Sequence, residues 1–274
     1  MTVFNLHGTI DTIGIFDSGI GGLSILKALR AALPHENFMY VADSGHAPYG
    51  ERDALFVVER TQAIARYLFS DSVVSIKALV IACNTATAAA IHLLRRDYPH
   101  VPIIGVEPAL KPALTLSHTR RIGVMATRAT LRSHKFQTLL ASCASQADFI
   151  CQPCDGLAAA IEDDDSSKII ALCTDYTSAQ GLFGVRKYEI DTLVLGCTHY
   201  PLAAEHIQSV VGADVHLVDT GEPVARHTAR LIASRALHDP PGALSLHSSA
   251  NPLALSEAVQ RWLGLNIVAQ RLKV

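Results

Sequence analysis

Ala78 to Ala90 reads ALVIACNTATAAA. An apolar run enters Cys83, Asn84 and Thr85 follow, and an alanine-rich helical stretch begins at once. A short buried strand giving way to a helix sets Cys83 at a strand-to-helix turn, and open α/β sheets bind their ligands at such turns. The free N–H groups and partial positive charge of a helix start favour thiolate over thiol there. Thr192 to Pro201, TLVLGCTHYP, repeats the phrase with Cys197 and Thr198 in the matching places. A single buried cysteine is most often packing material. Two at one equivalent position, each trailed by a threonine, point to chemistry.

The strands ahead of these turns repeat as well. Ile13 opens IGIFDSG, Ile122 opens IGVMATR, and in each half the cysteine strand follows at a similar separation. Two related βα domains facing one another across a cleft explain both order and spacing, although buried parallel strands look alike in any protein. Strands alternate with helices along the chain, the pattern of an α/β fold with mainly parallel sheets. Further on, the pattern predicts a helix from Leu131, helices over 221–236 and 253–263 with Gly264 as the C′ residue, a break at Pro240-Pro241-Gly242, and a last strand over 266–272. A crossover return would put this C-terminal segment back on the first domain.

With 274 residues the chain has room for one large or two medium domains. A hydrophobic share of 49% suits a compact soluble protein, and a net charge of −2 speaks against a nucleic-acid or membrane-surface role. Apolar runs are too short for a bilayer span. Residues 1–11 lack the basic and apolar regions of a secretory leader and read as a short disordered extension. Cysteines at 83, 143, 151, 154, 173 and 197 then read as reduced thiols of a cytoplasmic protein.

A thiolate is a competent base and a thiol a competent acid, and free cysteine titrates near ~8.5, within reach of neutral pH. Two thiols on opposite sides of one carbon can remove a proton from one face and deliver another to the other. That is stereoinversion, and it needs neither metal nor organic cofactor if the site stabilises the carbanion. Asp17 ends the first strand and is placed to orient a substrate ammonium or a proton, with helix capping as the plainer reading. His199 lies two residues past Cys197 and can tune that thiol. Glu162, ahead of three aspartates, reads on spacing alone as a solvated acid. Asn84, Thr85 and Thr198 offer donors to a carboxylate, or cap the helices that follow. The glycines of Asp17-Ser18-Gly19-Ile20-Gly21-Gly22 permit close backbone approach without spelling the dinucleotide G-x-G-x-x-G. Cys151-Gln152-Pro153-Cys154 is a C-x-x-C pair with no second pair at zinc-finger spacing, and reads as core. The chain has no P-loop, HExxH or nucleophile-elbow pattern, and no lysine in a context that suggests a pyridoxal Schiff base.

Five blocks carry a resemblance: FDSGIGGLS (Phe16–Ser24), ADSGHAPYGER (Ala42–Arg52), ACNTATA (Ala82–Ala88), GVEPA (Gly105–Ala109) and GCTHYPL (Gly196–Leu202). Together they closely resemble the bacterial glutamate racemases of the aspartate/glutamate racemase superfamily, over about Ile13 to Val224. The resemblance implies two pseudo-symmetric flavodoxin-like domains with the active site in the cleft between them: residues 1–106 with 219–274, carrying Cys83, and residues 107–218, carrying Cys197. It implies cofactor-independent, metal-free interconversion of L- and D-glutamate, supplying D-glutamate for peptidoglycan. Cys83 and Cys197 would be the acid/base thiols, Cys83 deprotonating D-glutamate and Cys197 L-glutamate. Asp17, Glu162 and His199 would assist proton transfer. Asp17, Ser18, Pro48, Tyr49, Gly50, Asn84, Thr85, Thr198 and His199 would bind glutamate, with Thr127 and Thr130 near its carboxylates. The family assembles in several ways, and a cytoplasmic homodimer is the expected form.

The chain departs from the family pattern ahead of Glu162, where an apolar, proline-containing run is replaced by Asp155-Gly156-Leu157-Ala158-Ala159-Ala160. The segment after Pro240 matches poorly and carries no implied function. A racemase of aspartate or another amino acid is the near alternative, and a non-catalytic amino-acid-binding regulator on the same fold is the more distant one. Retention of both thiols speaks against the latter.

Overall fold

A computed structural model of the chain describes residues 10–70, 74–232, 241–272 and 274. The expected N-terminal extension lies outside the described residues up to position 9; Ile10 and Asp11 already belong to the first strand. Ten strands are β1 (Ile10–Asp17), β2 (Asn37–Ala42), β3 (Val74–Ile81), β4 (Ile103–Gly105), β5 (Arg121–Ala126), β6 (Asp148–Pro153), β7 (Thr192–Leu195), β8 (His216–Val218), β9 (Leu244–Ser248) and β10 (Gln270–Arg271). They form two sheets, ordered β10-β9-β2-β1-β3-β4 and β6-β5-β7-β8. Every pairing between these strands is parallel.

The repeat read in the sequence is thus a repeat of topology. The order β2-β1-β3-β4 is matched strand for strand by β6-β5-β7-β8, and β9 and β10 extend only the first sheet. Register carries the match to single residues. Gly14 pairs with Leu79 and Gly123 with Leu193, and each cysteine stands four residues beyond that leucine. Both thiols therefore leave their sheets at equivalent carboxyl ends, the ends at which open α/β sheets take ligands.

Central strands buried on both faces need continuous apolar sequence, and β1, β3 and β7 supply it. Ile13 and Ile15 pack on one side with Leu23, Leu26 and Leu29 of the helix Leu23–Ala32, in a cluster that runs on into Leu193, Leu195 and Ile207 of the second sheet's side. Phe16, Leu79 and Ile81 pack on the other side with Ile64, Leu68 and Leu94. The helix Asn84–Asp97 buries Ala86, Ala90 and Leu94, spaced by one turn each, and places Arg95 and Arg96 in its last turn, where the helix dipole prefers cations.

Several boundaries differ from the sequence expectation. The helix expected from Leu131 begins at Arg128 and breaks at Ser133, which caps a second helix, His134–Cys143, by accepting the Phe136 N–H. The helix from Gly221 ends at Leu231 because Ile232 is extended; residues 233–236 lie outside the described residues. The last strand shrinks to Gln270–Arg271. Gly264 does take the left-handed C-terminal position, at φ 69°, after the helix Pro252–Leu263. β9 pairs with β2, so the C-terminal segment returns to the first sheet. Among the described residues no helix is long and apolar enough to cross a membrane.

Candidate active site

Cys83 leaves β3 and is itself the N-cap of the next helix, its sulfur accepting the Ala86 N–H at 3.4 Å. Asn84 and Thr85 are therefore free of the capping role the sequence allowed them. The thiol donates to Ser18 Oγ at 3.8 Å. Burial, then the charge of Asp17, pushes Cys83 up to about 12, while the Ala86 N–H pulls the other way. For Cys83 the expectation that a helix start favours the thiolate is corrected: desolvation of this residue, 6 % exposed, outweighs one N–H.

Asp17 ends β1 and is wholly buried. Its carboxylate accepts the Gly19 N–H at 2.9 Å and the Thr198 hydroxyl at 3.3 Å, so it reaches across to the second half. It is not a helix cap; that position belongs to Gly22. Burial raises Asp17 to about 6, with the His199 charge and the Gly19 N–H opposing.

Cys197 leaves β7 and lies 3.7 Å from His199 Nδ1. His199 Nε2 is 2.5 Å from Glu162 Oε1, which also accepts the Ile20 N–H at 2.6 Å. Burial acts to depress His199, but its hydrogen bonds to Cys197 and Glu162 outweigh that and hold it well above its ordinary value. Glu162 is no solvated acid. Its side chain is 14 % exposed and wedged between the two halves, and the sequence reading failed because the partners lie far away in the chain. The ligand atoms of Asp17, Glu162 and His199 lie within 4.8 Å of one another. By type they could hold a cation, yet they are engaged with each other, with backbone N–H groups and with Thr198.

The two thiols sit in one electrostatic neighbourhood, since charge on Cys197 is among the causes that raise Cys83. Their helpers differ: a carboxyl beside Cys83, an imidazole–carboxylate pair beside Cys197. Further polar groups line the same region. Asn84 is 5 % exposed, and neither its Nδ2 nor its Oδ1 has a hydrogen-bond partner. Thr85 Oγ1 lies 3.2 Å from Thr127 Oγ1 across the halves, and Thr127 donates to Thr130 Oγ1 at 2.9 Å. Gly50 packs on the Thr127 side chain. Tyr49 turns its hydroxyl away to Asp43, at 2.6 Å, and Pro48 lines a cavity of about 470 Å³ with Ile20, Glu162 and Arg261 at the cleft's outer edge.

The glycine turn after β1 has a specific use. A Cβ on Gly19 would overlap the Glu162 carboxylate, and a Cβ on Gly21 would overlap the His199 ring. These positions admit side chains of the second half. The sequence reading missed Ser24, whose hydroxyl lies 2.8 Å from Gly21 O and 2.9 Å from Thr198 O and so bridges the halves; no local signal marks a helix serine for that task. All six cysteines are free thiols. Cys154 is buried in the core and its sulfur donates to Gln152 O at 3.4 Å, while Cys151 packs beside the other face of the second sheet.

Residues 23–228 match the family model for Asp/Glu/hydantoin racemases. The chain is 45% identical over 266 residues to a glutamate racemase of Ralstonia nicotianae, covering 96% of this chain and 93% of the relative. It is 47% identical over 234 residues to one of Methylococcus capsulatus, covering 85% and 83%. The fold superposes on a crystal structure of a glutamate racemase isoform from Bacillus anthracis with TM-score 0.83 and 27% identity, covering 98% of each chain. An Escherichia coli glutamate racemase crystallised with L-glutamate and the activator UDP-MurNAc-Ala gives TM-score 0.79 and 28% identity, covering 95% and 98%.

Proposed function

The chain belongs to the Asp/Glu/hydantoin racemase family and is an amino-acid isomerase acting on glutamate; we propose that it works through Cys83 and Cys197 as opposed acid/base thiols. The observation that carries this reading is the pair of sulfurs at register-equivalent strand ends, each with its own proton-handling partner. Glutamate lies between them. Cys197, as thiolate, takes the α-proton of L-glutamate as His199 and Glu162 steady the transfer. The C–H electron pair delocalises into the α-carboxylate, whose charge is held by donors from Asn84, Thr85, Thr127, Thr130 and Thr198. Cys83, as thiol, then gives its proton to the opposite face and is left as thiolate beside Asp17. D-Glutamate follows the reverse course from Cys83. No electron is gained or lost, and one proton enters as one leaves.

Asn84 supports the binding part of the reading, because a buried amide with both ends unpartnered is costly unless a ligand satisfies it. Ser18, Pro48, Tyr49 and Gly50 frame the same cleft. The proposed domains are residues 1–106 with 219–274 and residues 107–218, each built on one sheet. A cytoplasmic homodimer completes the proposal: reduced thiols suit that compartment, and sedimentation tests the assembly. D-Glutamate made by this family supplies peptidoglycan.

The deciding experiment incubates L-glutamate with the protein in heavy water without added cofactor. D-Glutamate bearing α-deuterium is expected, and faster than any product from aspartate. Racemisation without solvent isotope at the α-carbon would overturn the mechanism.

A further inference from the structure

We propose that Tyr40 is a positioning residue for racemisation: its hydroxyl orients the Gly19–Ile20 peptide, whose N–H holds Glu162 against His199. The proposal rests on the two-thiol reading. Tyr40 lies on β2 opposite Ile15 of β1 and is completely buried. Packing alone would be served by phenylalanine, so the hydroxyl calls for its own account. It donates to Gly19 O at 2.7 Å. The nitrogen of that same peptide unit belongs to Ile20, and it donates to Glu162 Oε1 at 2.6 Å. One peptide plane is thus gripped at its oxygen by the first half's core and offered at its nitrogen to the second half's carboxylate. A donor on the oxygen also polarises the group and strengthens its N–H as a donor.

Neighbouring bonds tie the phenol to the other side of the site. Gly19 N–H donates to Asp17 Oδ2, so Gly19 is held at both its N–H and its C=O. There is no slack: a Cβ on Gly22 would stand 2.7 Å from Asp17 Cβ and 2.9 Å from the Tyr40 oxygen. The titratable groups facing the phenol are Asp17 at the end of β1, Cys83 beyond β3 and Glu162 from the second half; burial and these three keep it protonated, as a donor. Glu162 in turn faces His199 and Asp17.

Tyr40→Phe keeps the ring and removes the donor. The expected result is a kcat about 3- to 10-fold lower with KM changed less than about 2-fold, the size of one lost hydrogen bond to a neutral carbonyl. The pH profile of kcat should also move, because the His199–Glu162 pair is loosened. In a Glu162→Gln background the same change should cost little, since both act through one contact. A profile that superimposes on the parent's once scaled for folded protein overturns the proposal, as do losses that simply multiply in the double variant. If the phenylalanine variant does not fold, difluorotyrosine at position 40, a stronger donor of nearly the same shape, replaces it. A shifted profile then supports the proposal and an unchanged one overturns it. The heavy-water experiment on the parent keeps the two readings apart: if the parent incorporates solvent deuterium, failure here concerns Tyr40 alone.

Discussion

At the scale of single residues the site divides its labour by burial. Cys83→Ala and Cys197→Ala should each abolish racemisation while circular dichroism stays native; substantial turnover in either contradicts the paired-thiol mechanism. Asp17 shows what a buried carboxylate costs the fold. Burial raises it to about 6, so between its ordinary value and 6 the folded protein keeps a proton that the unfolded chain has released. Stability falls as pH rises through that window and stays lower above it. Asp17→Asn should therefore be more stable than the parent near neutrality by about 1–3 kcal/mol, with the gain vanishing at about pH 4, and should lose about 10²-fold or more in kcat. Urea unfolding at the two pH values checks this, and a variant less stable near neutrality contradicts the burial account. Asn84→Ala leaves no broken protein hydrogen bond, since its amide has none. KM should rise about 10- to 100-fold with an unfolding midpoint close to the parent's.

At the scale of elements, two turns do the positioning. The turn after β3 makes Cys83 both the proposed acid/base residue and the helix cap, so its backbone cannot drift without loosening the helix start. The glycine turn after β1 receives the second half's side chains. Gly21→Ala should push His199 out of register with Cys197, lowering kcat/KM by about 10²-fold or more, because small misplacements at a reacting centre are costly. The first half has no need to unfold, which near-ultraviolet spectra would report. Full activity in that variant would mean that the contact between turn and imidazole is dispensable.

At the scale of the whole molecule, the two-thiol proposal couples substrate binding to movement of the two halves. Cys83 and Cys197 are 6 % and 7 % exposed, so for glutamate to reach a site between them the proposal requires the halves to part. The Arg261–Asp164 pair at 2.7 Å, beside the cavity that Pro48 and Glu162 line, is partly exposed and worth little by itself. Glutamate touching both halves should stabilise the fold as a unit, by about 2.7 kcal/mol at 100 times its Kd. One cooperative thermal transition that rises with glutamate is expected; stabilisation of one half alone would contradict a shared site.

The sequence by itself determined the two thiol turns, the parallel α/β units and their repeat, because apolar runs, small-residue turns and helix periodicity are local signals. It also named Asp17, at the end of the first strand, and His199, two residues past the second thiol. Glu162 was legible by resemblance but not by its own neighbourhood. Its meaning comes from Ile20 and His199, which only the tertiary fold brings to it. The rise of Cys83 to about 12, the open amide of Asn84 and the grip of Tyr40 on a distant peptide were likewise decided by the tertiary structure. Desolvation and long-range contact depend on what packs against a residue from another part of the chain, and no local pattern encodes that.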